Sequence, residues 1–239
     1  MSIVNTNSGL KLAERFRVPN DWIVIDTNEI LKHNSWDNEI ENNFVETGTF
    51  FCHGVISALI KGANNIISIE INEKIYKHNI MKLLLNVSLL GQEFSSYKKD
   101  NLFVLEVAGA KITLVLGDTV EVLPSIVQNI KERTTFWLDA HWGPDIGSPL
   151  SGEEGAEILF PIYKEIEIIS QHNIKNHKIM IDDMKQYEKY YSDNLDNLKN
   201  MFLNINQKYT FRKKSKTSDI DDYIFIAEVL DETQPIQNS

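Results

Sequence analysis

Six carboxylates stand where short apolar runs end: Glu46, Glu70, Asp118, Asp139 and the pair Asp182-Asp183. Glu46 closes Asn43-Phe44-Val45, and Glu70 closes Ile66-Ile67-Ser68-Ile69. After Glu46 comes a turn, Thr47-Gly48-Thr49-Phe50, and then a helical pattern. This is the layout of a βαβ nucleotide-binding half, in which the first turn approaches the ligand and the second tip accepts both ribose hydroxyls. Asp118 lies in Leu116-Gly117-Asp118-Thr119, Asp139 in Trp137-Leu138-Asp139-Ala140-His141-Trp142, and Asp182-Asp183 in Met180-Ile181-Asp182-Asp183-Met184. Any one of these acids could cap the next helix. Acids at five successive tips exceed what capping needs, and the set points to a ligand site.

The glycines narrow the ligand. A dinucleotide site needs G-x-G-x-x-G, so that a pyrophosphate can touch bare backbone at a helix N-terminus. Here Gly48 and Gly54 are present, but Phe50 and Cys52 stand where further glycines would be expected. Such bulk suits S-adenosylmethionine, which has a cationic sulfonium and no phosphate. A plain strand–helix turn, with Gly48 and Gly54 serving sterics alone, remains the alternative.

Composition sets outer bounds. The chain has 239 residues, 42% hydrophobic and 24% charged, enough for a substantial core. A net charge of −10 argues against nucleic acid, which needs clustered cations. The one basic cluster, Arg212-Lys213-Lys214-Ser215-Lys216, is expected to guard a strand edge. One cysteine, Cys52, excludes an internal disulfide and is read as a small buried hydrophobe. With no membrane-length apolar run and no basic-then-apolar leader, the expectation is a soluble, cytoplasmic protein.

The elements that must position these acids alternate. Strands are expected at 43–47, 66–71, 111–116, 135–139 and 178–182, and helices at 52–62, 73–90, 119–131, 153–170 and 186–204, with Pro124 kinking the third. Two last strands, 208–211 and 223–227, form a hairpin. The predicted fold is α/β and Rossmann-like: a seven-stranded, mostly parallel sheet with a C-terminal antiparallel hairpin and helices on both faces. Residues 1–42 form an N-terminal segment, a lid or substrate cap, ahead of one domain at 43–239.

From Glu46 to the terminal hairpin, this series resembles class I S-adenosylmethionine-dependent methyltransferases. The resemblance implies that Glu46, Thr47, Gly48 and Thr49, with Phe50 and Gly54 of the same turn, surround the methionine part of the cofactor. It implies Glu70 on the ribose, Asp118 with Thr119 at the adenine amino group, and Asp139 at the reactive end. Asp139-Ala140-His141 with Ile181-Asp182-Asp183 is most similar to metal-dependent O-methyltransferases that modify sugars and natural products, where Asp139, Asp182 and Asp183 would hold a divalent ion. Three carboxylates suit Mg²⁺, Mn²⁺ or Ca²⁺.

Catalysis would then fall to His141 and Asp139. An imidazole titrates near working pH, which makes His141 the candidate base for a sugar hydroxyl. Pocket shaping by His141 is the plainer role. The breaker-rich loop Gly143–Gly152 is expected to close over the acceptor. The expected partner is a small molecule, a sugar or glycoconjugate precursor, with an oligomer left open. Two other readings stay in play: a nicotinamide oxidoreductase, and a non-catalytic nucleoside-binding protein.

Overall fold

The computed structural model describes residues 40–89, 91–140, 161–191, 195–216 and 221–230. Along the chain run β1 (Asn43–Thr47), α1 (His53–Ile60), β2 (Asn65–Glu70), α2 (Glu73–Leu89), β3 (Phe94–Lys99), β4 (Leu102–Val107) and β5 (Ala110–Leu116). There follow α3 (Thr119–Asn129), β6 (Thr134–Leu138), α4 (Ile162–Ser170), β7 (Lys178–Ile181), α5 (Met184–Tyr191), α6 (Asp196–Ile205), β8 (Tyr209–Ser215) and β9 (Tyr223–Val229).

All nine strands join one sheet in the order β3-β4-β5-β2-β1-β6-β7-β9-β8. The middle five are parallel and in step: Thr47 lies opposite Ile69 and Leu138, Glu70 opposite Leu116, and Leu138 opposite Ile181. Their carboxyl ends therefore form one rim. The chain order reverses at β1, with β2 on one side and β6 on the other, and ligands of open α/β sheets bind above that switch point.

Strand alternation builds two cores. Phe44, Ile66, Trp137, Met180, Ile224 and Ile226 face one layer, with α1 and α2. Val45, Ile69, Phe136, Leu138, Ile179, Ile181 and Phe225 face the other, with α3 to α6. A sheet buried on both faces explains why its parallel strands read as apolar runs. No described helix is long and apolar enough to cross a membrane.

The expected count of seven strands is corrected to nine. The extra pair is the hairpin β3–β4, which lengthens the sheet beyond β5 through antiparallel ladders. Strand β3 (Phe-Ser-Ser-Tyr-Lys-Lys) is exposed along its whole length, so no buried face marked it in the sequence. The helix expected at 186–204 is two, α5 and α6, with Leu195 left-handed (φ 70°) at the start of α6. Helix α3 continues through Pro124, which forfeits its amide bond within the helix. Of the helix expected at 153–170, the described part is Ile162–Ser170. Most of the N-terminal segment, His141 and the loop 143–152 lie outside the described residues.

Candidate functional site

The β1–α1 turn is built on backbone that most side chains avoid. Gly48, Phe50 and Cys52 all have positive φ, at 81°, 43° and 62°. Gly48 is obligatory, since a Cβ there would stand 2.4 Å from the Asp139 carbonyl oxygen. Phe50 and Cys52 thus keep a glycine-type conformation without being glycines, at a cost on the order of 1 kcal/mol each. Such strain persists only where its surroundings dictate it, and here they do. Gly48 and Thr49 N–H both donate to the Ile69 carbonyl at 3.0 Å. From α2, Asn79 Nδ2 donates to the Phe50 carbonyl at 2.6 Å and Lys82 Nζ to that of Phe51 at 3.0 Å.

Glu70 ties the same turn to the β2 tip. Its Oε2 accepts from Phe50 N–H at 3.0 Å, and its Oε1 from Asn72 N–H at 2.8 Å. Each oxygen has a lone pair left, so the carboxylate can still receive a diol. Burial raises its pKa, and those backbone donors hold it down. Beside it, Phe50, Phe51 and Ile71 are exposed apolar residues.

Glu46 and Thr47 lie beneath the turn, at 1% and 0% exposure. Ser68 Oγ donates to Glu46 Oε2 and pairs with Thr49 Oγ1 at 2.7 Å, so a hydroxyl relay links both strand tips. Burial drives the Glu46 pKa well up, Ser68 opposes this, and the charges of Asp139 and Glu70 add to it. Its side chain covers Gly54, where a Cβ would fall 1.7 Å from Glu46 Oε1. Asp118 caps α3 by accepting from Val120 N–H at 2.8 Å, so the plain capping role holds there and one oxygen is spent.

At the other half of the rim, Asp139, Asp182 and Asp183 each place an oxygen within 4.8 Å of the others. Asp139 is fixed by its amide, which donates to the Thr47 carbonyl at 3.1 Å, and Trp137 Nε1 lies 3.3 Å from its Oδ2. Asp183 is left-handed (φ 52°), a conformation Asp tolerates better than most residues. Burial, Asp139 and Asp183 push the Asp182 pKa well up, and Lys216 holds it down. This set fits a hard divalent cation, because three carboxylates converge on one corner.

Two groups went unseen in the sequence. Lys216 Nζ lies 2.7 Å from Asp182 Oδ1, 2.9 Å from Asp183 Oδ1 and 3.1 Å from Asp222 Oδ2. Edge protection therefore fails for this member of the basic cluster. Arg212 (with Glu228) and Lys213 (with Glu188) do sit on the edge strand β8. Burial disfavours the Lys216 charge, but Asp182 and Asp183 outweigh it and raise its pKa. The second group is Glu165 on α4, wholly buried. Burial lifts its pKa to about 7, the Thr119 and Thr47 hydroxyls favour its charge, and Asp118 and Asp139 oppose it. Those hydroxyls lie near it without alignment, and neither Glu165 oxygen has a true hydrogen-bond partner.

Two surface cavities, about 600 and 450 Å³, lie away from this rim. One is bounded by α4 and α6 and the other by α3 and the end of α4, and neither touches the acids.

Two outcomes follow. Gly54→Ala should cost about 1–3 kcal/mol in urea unfolding, from overpacking against Glu46. The cost should shrink on a Glu46→Ala background, and an unchanged cost would show that the two do not share the space. For Glu165, both states keep the proton below about pH 4.5, and the unfolded chain releases it first as pH rises. Stability is therefore lost between about pH 4.5 and 7, on the order of 3 kcal/mol. Unfolding titrations from pH 5 to 8 should show a shallower fall in Glu165→Gln.

No family model matches the chain, and no curated protein matches it in sequence. Solved structures do. An O-methyltransferase from Bacillus cereus, in complex with S-adenosylhomocysteine, aligns over 94% of this chain and 90% of its own at 13% identity, with a TM-score of 0.48. TomG from Streptomyces achromogenes, an O-methyltransferase of tomaymycin synthesis in complex with S-adenosylmethionine, aligns over 94% and 88% at 11% identity (TM-score 0.48). A Streptococcus mutans protein provisionally assigned as an S-adenosylmethionine-dependent methyltransferase aligns over 87% of this chain and 50% of its own at 13% identity, with a TM-score of 0.51. That last superposition, with a parallel sheet reversing at β1 and closing through the β8–β9 hairpin, establishes the architecture. The chain has the fold of the class I S-adenosylmethionine-dependent methyltransferases.

Proposed function

We propose that this protein transfers a methyl group from S-adenosylmethionine to a hydroxyl of a small acceptor, such as a sugar in polysaccharide or natural-product tailoring. The observation that carries the reading is the single rim. Glu70 and the β1–α1 turn stand on one side of the switch point, and Asp139, Asp182 and Asp183 on the other.

Glu70 would take the ribose hydroxyls on its two spare lone pairs, and Ile71 and Phe50 would give apolar contact beside it. Asp118 has one oxygen free of its cap, available with Thr119 to the adenine amino group. Gly48 lets the turn that would meet the methionine end pass close to the Asp139 carbonyl, and Glu46, Thr47, Thr49 and Gly54 shape that backbone from below. The negative rim attracts a cationic sulfonium.

Bound S-adenosylmethionine supplies an electrophilic methyl group, and a divalent ion held by Asp139, Asp182 and Asp183 would supply a hard Lewis acid for acceptor oxygens. What this chain adds is alignment, since in-line displacement gains much of its rate from positioning. His141 follows Asp139 by two residues and is the candidate base for the acceptor proton.

Calorimetry with S-adenosylhomocysteine should give saturable binding, weakened about 10- to 100-fold by Glu70→Ala through loss of two charge-assisted hydrogen bonds. No binding by the wild type at millimolar ligand would remove the proposal. Once an acceptor is found by transfer of labelled methyl to a panel of hydroxylated compounds, His141→Ala should lower kcat about 10²- to 10⁴-fold. Turnover untouched by a chelator, yet lost with His141, would leave base catalysis without a metal.

A further inference from the structure

Lys216 reaches the acid cluster from far along the chain. It follows β8, and its amide donates to the Asp222 carbonyl at 3.0 Å, closing the hairpin one step beyond the Ser215–Tyr223 pair. Strand β9 lies against β7, with Phe225 opposite Ile181, so the hairpin's end is carried to the tip of β7. Its ammonium there meets Asp182, Asp183 and Asp222 within 3.1 Å, and its side chain is 8% exposed.

Lys216 rests on three carboxylates, Asp182, Asp183 and Asp222, and an oxygen of Asp139 lies within 4.8 Å of the first two. An ammonium offers three donors on a compact centre, and here it reaches all three carboxylates. A divalent ion drawn to Asp182 and Asp183 meets oxygens on which the ammonium already rests. Two cations cannot share one carboxylate pair at contact distance in a buried site without strong repulsion. Asp222 offers the lysine a place to withdraw to, since it contacts the ammonium but lies outside the three-carboxylate cluster.

We propose that Lys216 is a built-in counter-cation of the acid cluster and competes with a divalent ion for it. The proposal rests on the metal reading above and adds a control to it. Without an ion the rim stays partly neutralised and closed by the lysine. With one, Lys216 is displaced toward Asp222, so the ion binds more weakly than three carboxylates alone would hold it. A lysine that merely clamps the hairpin would leave ion affinity unaltered.

Mn²⁺ binding to metal-free protein, followed by calorimetry and by the loss of the free-ion paramagnetic resonance signal, separates these. Lys216→Met should bind Mn²⁺ at least tenfold more tightly than wild type, whereas Lys216→Arg stays within about threefold. Lys213→Met, which deletes an equal charge on the exposed strand edge, should change affinity by about twofold or less. Equal affinity in Lys216→Met and wild type overturns the competition and leaves the metal site standing. A gain matched by Lys213→Met overturns it too, as a long-range charge effect. No saturable uptake by any variant overturns competition and metal together, while retained S-adenosylhomocysteine binding keeps the cofactor reading separate. Should Lys216→Met fail to fold, Asp222→Asn serves instead: freeing the lysine's outer anchor should alter Mn²⁺ affinity more than threefold, and an unchanged value overturns the proposal.

Discussion

Gathering negative charge at one edge of a sheet is the constraint around which this protein is arranged. A buried carboxylate is costly unless hydrogen bonds or a counter-charge receive it. Each acid at this rim meets that cost in its own way. Glu70 takes two backbone amides, Asp118 takes one at a helix start, Glu46 takes the Ser68 hydroxyl, and Asp182 and Asp183 take an ammonium. Glu165 has no aligned partner, and burial lifts its pKa to about 7. The rim is thus graded. At the Glu70 end backbone donors oppose the effect of burial, while at the Asp182 end an ammonium does so.

The turn above β1 shows how the same constraint shapes backbone. Gly48 must approach the Asp139 carbonyl, and that approach holds β1 and β6 tips together at the switch point. Phe50 then has to present its amide to Glu70, which requires a positive φ that an aromatic residue dislikes. Asn79 and Lys82 from α2 secure the carbonyls that this twist turns inward. The β1–α1 turn, second strand tip and second helix therefore form one hydrogen-bonded unit, and a change in any of them is felt by the other two.

The parallel strands and their acidic tips were legible in the sequence because a doubly covered sheet imposes short apolar runs, and a rim imposes polar residues just after them. The hairpin β3–β4 was not, since its outer strand buries nothing and so carries no period. Missing glycines at Phe50 and Cys52 looked like a departure from pattern. The geometry was kept and only the residue type changed, which a reading by residue type cannot register. Lys216 and Glu165 were hidden for another reason. Both reach the rim through tertiary register, one along a closing hairpin and one across a helix layer, and local spacing carries no trace of either.

The placement of Lys216 gives the terminal hairpin a second purpose. A strand added antiparallel to a parallel sheet normally just ends it, and β9 does cover β7 in that way. Because its direction is reversed, however, β9 begins where β7 ends, so the turn feeding it opens onto the rim rather than the far side. Lys216 and Asp222 sit on either side of that turn. An antiparallel closing strand is thus the arrangement that lets the end of the chain contribute charge to the Asp182 corner of the rim. A parallel closing strand would instead begin at the opposite edge of the sheet, away from the three aspartates.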